Sequence, residues 1–431
     1  MSTWRNWGRS VTSHPQFVRH AATPDDVIEA VAFATQQRLP LKTVGAGHSF
    51  TSIAATDGVQ LDISALDGLL AVEGNLVTLG AGTNLYQLPA LLASHGLALE
   101  NMGDVDQQTI AGAISTGTHG TGAAFGGIAS QVVALTLVTA NGELLRVSPT
   151  ENAELLPAAR LGLGALGVIV DVTLRCVPHF VMRAVETPEP LDEVLDNWAA
   201  RSTGVDHFEF YWFPHTTTAL TKTNTRLHGS TPRKLQHPVA AWIDDELLPN
   251  GLYVLMCQLG RLAPGMIPAM NRLSDKAVAA RDITDDWHPV FTSPRRVRFR
   301  EMEYSIPTEQ IPAALRELRD LIERKGWKIS FPVEVRVAAA EDNWLSTANG
   351  RVSGYIAVHR YYREDPTEYF EAVEAIMRAH DGRPHWGKMN TRTADDLRPS
   401  YPHFDDFLAV RDRLDPERLF QNDYLKRVLG D

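Results

Sequence analysis

The run "FPVEVRVA" holds a carboxylate and a guanidinium, Glu334 and Arg336, at a spacing of two between valines. On an extended chain that spacing puts both on one face and turns Val333, Val335 and Val337 to the other. Such a couple is either a solvated ion pair, worth less than about 1 kcal/mol, or a charged pair facing a ligand. "RPHWGKMN" contributes a cation, Lys388, and "GYIAVHRYY" contributes His359 on the face of Tyr355 and Ala357. Its ring titrates nearer neutrality than a carboxylate, so His359 competes with Glu334 as proton acceptor. Upstream, "TVGAGHSFTS" sets His48 between a glycine turn and hydroxyl residues, and "AGAISTGTHGTG" sets Ser115 and His119 among small residues. Glycine lets backbone N–H groups approach an anion, and serine and threonine add donors. Two such loops after β-type segments read as a cradle for a diphosphate. Gly47 is followed by His48, Ser49 and Phe50, a poor fit to G-x-G-x-x-G, and G-x-x-x-x-G-K-[ST] is absent. The histidines are scattered, with no H-x-x-x-H helix or acid cluster at ligand spacing, so no metal is expected.

These residues need elements to carry them. "PDDVIEAVAFATQQ" reads as a helix over 24–37, with Pro24 at its start, acids in the first turn and Val27, Ala30, Val31 and Ala34 on one face. "LPLKTVGAGHSF" is a short strand running into a turn, and "VVALTLVTANGELLRVS" is a hairpin about its Asn-Gly. "LLPAARLGLGALGVIVDVTLRCVP" is a short helix, a glycine-spaced turn and a strong strand closed by Pro178. Beyond about 180 glycine thins out. Aromatic strands alternate with longer helices through "HFEFYWFPH", "YVLMCQLG", "RFREMEYSIP", "IPAALRELRDLIERKG", "FPVEVRVA", "GYIAVHRYY" and "TEYFEAVEAIMRAHDG". That texture predicts an antiparallel sheet with helices on one face, an α+β domain, after a first domain ending near 178. "PRKLQHPVAAWIDDELLPNG" reads as a surface loop or mobile lid.

Composition narrows the class. With 431 residues the chain is too long for one ordinary core. A net charge of −11 argues against a nucleic-acid partner, which calls for a basic footprint. No apolar run reaches the roughly 18 residues of a membrane span, and the N-terminus carries no signal-peptide core, so the cytoplasm is the expected compartment. Two cysteines, Cys176 and Cys257, cannot make a disulfide framework.

"VGAGHSFT", "STGTHGTG", "LGLGALGVI", "FPVEVR" and "HWGK", in that order, resemble the vanillyl-alcohol-oxidase type of FAD enzyme. Within it the chain is most similar to the sugar-1,4-lactone oxidoreductases, over about residues 10 to 430. The resemblance implies a two-domain α+β flavoprotein. Residues 1–178 are its FAD-binding domain and 179–431 its substrate domain, with about 380–431 packing back toward the flavin. It implies that His48 carries the flavin covalently, raising its reduction potential and preventing its loss. Thr43, Gly45, Ala46, Gly47, Ser49 and Phe50 would surround the cofactor from the first loop. Gly112, Ser115, Thr116, Thr118, His119 and Gly120 would do so from the second, and Gly167, Val168 and Ile169 from the third. Ser115 would also face the substrate. Lys388 would stand at the flavin N1–C2 edge, where negative charge develops as hydride reaches N5, with Arg336 as a second cation. Glu334, or alternatively His359, would orient the substrate hydroxyl or take its proton. The implied reaction oxidises a secondary alcohol of a sugar-1,4-lactone and passes electrons to O₂ or another acceptor. Ile114 is bulkier than the alanine or glycine often found near flavin C4a, which argues against fast reaction with O₂. The alternatives are an alditol oxidase acting on open-chain polyols and a non-enzymatic flavin- or carbohydrate-binding protein, which has no need of cations at the flavin edge.

Overall fold

The computed structural model describes residues 2–236, 251, 253–277, 279–294 and 296–431. Most of the 232–251 excursion expected as a loop or lid lies outside the described residues.

The first helix, Pro24–Gln37, starts where its sequence says it should. The Thr23 hydroxyl accepts from the Asp26 N–H, the Asp26 carboxylate accepts from the Thr23 N–H, and Val27, Ala30, Val31 and Ala34 are buried. It leads into strand Leu41–Val44, which joins Phe17–His20 and Val59–Asp62 in a parallel three-stranded sheet. Beside it lies an antiparallel five-stranded sheet. Its order is Leu144–Val147, Val132–Val138, Val168–Arg175, Leu76–Gly80 and Leu69–Glu73, and it includes the expected Asn-Gly hairpin.

Phe180–Pro190 enters an antiparallel eight-stranded sheet. Four central strands matter for function: His207–Trp212, Val333–Ala338, Ser353–Tyr361 and Phe299–Pro307, side by side in that order. One face is apolar. Phe208, Phe210, Trp212, Met302, Tyr304, Ile306, Val333, Val335, Val337, Ile356 and Val358 pack in one core with helices Leu191–Asp196, Trp198–Thr203, Ile311–Lys325 and Thr367–Ala379. The alternate positions are buried too, and they are polar: Glu209, Glu301, Glu303, Glu334, Arg336 and His359. A sheet that is apolar on one face and charged yet buried on the other must be covered on both sides.

The run "YVLMCQLG" is helical, part of Tyr253–Leu262, not a strand. Leu, Met and Gln are good helix formers, and the buried pair Cys257 and Gly260 has helical rather than alternating spacing. The chain after Pro384 returns to the first half. Trp386, Tyr401, Phe404, Phe407, Phe420 and Tyr424 share its core. The Phe50 N–H donates to the Gly387 carbonyl at 2.6 Å, the Leu41 N–H to the Leu419 carbonyl at 2.8 Å, and the Asn422 amide to the carbonyls of Ser52, Ile53 and Ala55.

Candidate active site

Two cavities meet beside His48. The first, about 910 Å³, is lined by Thr43, Gly45, Ala46, Gly47, His48 and Ser49 from one loop, Gly112, Ser115 and Thr116 from the second, and Gly167 and Ile169 from the third. The second, about 660 Å³, is lined by Trp7, Phe50, Thr118, His119, Phe299, Glu301, Glu303, Arg336, His385 and Lys388 together with Asp104. His48, Ser49, Gln108 and Thr116 border both.

The first cavity suits a diphosphate-bearing group. Among the described residues, none of the backbone N–H groups of Gly45 to Ser49 donates to another protein group. Five donors without partners along a cavity wall call for an anion or another acceptor. Gly47 has φ +69°, which brings the turn around at no Cβ cost, and a Cβ on Gly45 would lie 2.4 Å from the Thr109 hydroxyl. The short helix Ile110–Thr116 sends Ile110, Ala113 and Ile114 into the core and presents Gly112, Ser115 and Thr116 to the cavity. Ser115 therefore lines the first cavity and not the second, and Ile114, wholly buried, lines neither. Val168 and Gly120 line neither as well. Val168 is buried in the core between cavity residues Gly167 and Ile169, and a Cβ on Gly120 would lie 2.3 Å from the Met102 carbonyl.

His48 stacks on Trp7, with ring centroids 5.5 Å apart and planes at 21°. Among the described residues its ring nitrogens have no hydrogen-bond partner, and burial followed by the nearby Lys388 charge pushes its pKa down to about 4. It is a neutral imidazole with a lone pair to offer.

The floor of the second cavity is the polar face of the large sheet. Glu334 and Arg336 are 5% and 6% exposed, which removes the solvated-pair reading. Arg336 pairs with Glu334, with Glu209 at 3.1 Å and with Asp104 at 3.3 Å. Burial alone would lower its pKa, but these three carboxylates hold it well above the usual guanidinium range. Arg336 lines the cavity, and Glu334 stands behind it.

Two further acids, Glu301 and Glu303, lie in this floor. The period-two argument applied to "FPVEVRVA" finds them as well, since "REMEYSIP" alternates Glu301 and Glu303 with Met302, Tyr304 and Ile306. Glu301 pairs with Lys388 and sits 3.5 Å from His359 Nε2; Glu303 sits 3.5 Å from His119 Nε2. Burial pushes the Glu301 carboxyl up, but Lys388 and then His359 outweigh it and hold it below the usual carboxylate range. His359 is the floor's back wall rather than its surface. Its Nδ1 lies 3.0 Å from the Pro332 carbonyl, so both ring nitrogens face protein acceptors rather than the cavity. His119 is placed alike, with Nδ1 2.9 Å from the Gly120 carbonyl. His385 accepts the Gly387 N–H at 3.0 Å and is pushed down to about 3 by burial. His119, Glu303 and His385, and likewise Glu301, Glu334 and His359, bring their donor atoms within 4.8 Å of one another. These groupings are invisible as sequence spacing, because each draws on separate strands or loops. In the second, Lys388 and Arg336 already neutralise the carboxylates.

The arrangement can hold an elongated anionic cofactor past His48 and a polyhydroxylated molecule against a row of carboxylates and fixed cations. A family model described as D-arabinono-1,4-lactone oxidase matches residues 172–428, and one described as FAD binding domain matches residues 15–148. The L-gulono-1,4-lactone dehydrogenase of Mycobacterium tuberculosis is 43% identical over 429 residues, covering 99% of both chains. The L-gulonolactone oxidase of Bos taurus is 36% identical over 99% of this chain and 98% of its own. In fold, cholesterol oxidase from B. sterolicum superposes with a TM-score of 0.81 at 19% identity, over 99% of this chain and 96% of that one. The chain is thus a member of the D-arabinono-1,4-lactone oxidase family of FAD-linked sugar-lactone oxidoreductases, on a vanillyl-alcohol-oxidase-type fold.

Proposed function

We propose that this protein oxidises a secondary hydroxyl of a sugar-1,4-lactone, of the L-gulono-1,4-lactone type, with FAD in the first cavity and its reactive ring at the mouth of the second. The observation that carries this is the junction at His48, where a wall of unpartnered backbone donors gives way to a floor of paired charges. FAD, when bound, supplies the two-electron acceptor. The chain supplies the rest. Asp104 and Glu303 face the cavity and accept hydrogen bonds from the lactone hydroxyls, and one of these two carboxylates takes the hydroxyl proton. Lys388 and Arg336 are fixed cations that stabilise negative charge developing at the cavity rim. Glu334 holds Arg336 in place. Trp7, Phe50 and Phe299, packed ring on ring with centroids 5.2 to 6.2 Å apart, wall the cavity against water. An open-chain alditol is the less favoured substrate, since the family to which the chain belongs is a lactone oxidoreductase family. A panel of aldonolactones and alditols, each run with O₂ and with an artificial electron acceptor, tests this reading. Turnover should be confined to lactones, and alditol turnover with no lactone turnover would overturn it. The same panel identifies the acceptor.

We further propose that His48 is joined covalently to FAD. Its neutral, unpartnered ring at the cavity junction supports this, because bond formation needs an imidazole lone pair. Acid-precipitated protein should stay yellow and yield a fluorescent flavopeptide containing His48, and His48→Ala should release all its flavin on precipitation. A flavopeptide centred on any other residue would disprove the linkage.

A further inference from the structure

We infer that Glu301 is a positioning residue for Lys388: its carboxylate aims the Lys388 ammonium at the rim of the second cavity and keeps it an ammonium there. This rests on the reading of that cavity as the substrate site.

Glu301 lies on strand Phe299–Pro307 with both carboxylate oxygens engaged, one by Lys388 Nζ and the other by His359 Nε2 at 3.5 Å. His359 cannot swing away. Its Nδ1 donates to the Pro332 carbonyl at 3.0 Å, and the rings of Phe299 and Phe331 lie 5.1 and 6.2 Å from its own. The carboxylate is therefore held from behind and presents one oxygen forward. Lys388 has no comparable anchor of its own. It sits in the turn after Trp386, with a flexible four-carbon stem and the Phe50 ring 5.4 Å from Nζ.

The groups facing Lys388 are Glu301 and Glu303 from the strand, Asp104 from the loop above, and the rings of His48 and His385. Burial drives the ammonium toward losing its proton. Glu301 is the largest of the charges opposing that, ahead of Glu303 and Asp104, and the balance leaves the Lys388 pKa raised. Glu301 also clips the turn through its main chain. The Met389 N–H donates to the Glu301 carbonyl at 2.9 Å, and the His385 N–H to the Glu303 carbonyl at 3.0 Å. A side-chain replacement at 301 leaves both clips in place, so the turn survives and only the charge is lost.

The test reads Lys388 directly. Its side chain is 22% exposed to the cavity, and acetic anhydride, a small acylating reagent, attacks only the neutral amine. Acylation of Lys388 is followed by peptide mass spectrometry on the flavin-loaded enzyme from pH 7 to 10, in wild type, Glu301→Gln and Glu301→Asp. In Glu301→Gln the rate at pH 9 should rise at least about tenfold, the scale on which loss of one close opposite charge acts. Glu301→Asp should fall back toward wild type. Flavin reduction by substrate should fall in the same order, with a new loss on the alkaline side of the Glu301→Gln profile. An unchanged Lys388 acylation profile in Glu301→Gln overturns the inference whatever the activity does. If acylation shifts while reduction does not, the positioning role stands and it is the catalytic role of Lys388 that falls.

Discussion

Lys388→Met is expected to slow anaerobic flavin reduction by about 10²–10³-fold, the usual loss on removing one preorganised charge-stabilising group. Methionine keeps most of the stem, so the Phe50 contact and the turn from His385 to Met389 should persist and FAD content should be near normal. The loss belongs to the charge. The ammonium is set between Glu301 and the cavity, partly buried, where an electrostatic interaction is far stronger than in water. Stopped-flow reduction at saturating lactone separates this from a binding defect, because an interaction made only in the transition state lowers the limiting rate itself. A limiting rate within a factor of about three of wild type would remove Lys388 from the chemistry. It would leave Arg336 as the cation at the rim.

Arg336→Ala is expected to cost about 3–5 kcal/mol of folding stability, the penalty for breaking a buried ion pair from one side. Arg336 is 6% exposed and serves Glu334, Glu209 and Asp104 at once, so its removal leaves three carboxylates around a hole. The sign of the pH dependence follows. A buried carboxylate without a counter-charge binds its proton more tightly in the folded than in the unfolded chain. Its protonation stabilises the fold at low pH, and that stability is lost as pH rises. The stability gap between Arg336→Ala and wild type should therefore widen from pH 5 to pH 8 in urea denaturation. Arg336→Lys restores a point charge without the guanidinium fork and should recover only part of the gap. A gap under about 1 kcal/mol with no pH trend would return the couple to the behaviour of a surface pair.

Sequence alone determined the local parts. The helix over 24–37, the alternation in "FPVEVRVA" and the glycines around His48 depend on neighbours within a few residues, and each is where its pattern put it. Period two sufficed to set Glu334 and Arg336 on one face. What it left open was whether that face looked at water or at a ligand, because an amphipathic strand reads the same in both settings. Tertiary structure decided this by laying the first half of the chain and the returning 386–429 segment over the polar face. It also decided which acids meet which bases. Glu301 is opposite His359 and Glu303 opposite Ala357 only through the pairing of Phe299–Pro307 with Ser353–Tyr361, and a slip of one residue would turn both acids into the apolar core. Lys388 reaches Glu301 because the turn carrying it is clipped to that strand by main-chain hydrogen bonds, across 87 residues of sequence that no local pattern spans. Residue types and strand faces are local properties. Strand order and register are settled by the packing of the whole sheet, and the charge pairs of the second cavity follow from those.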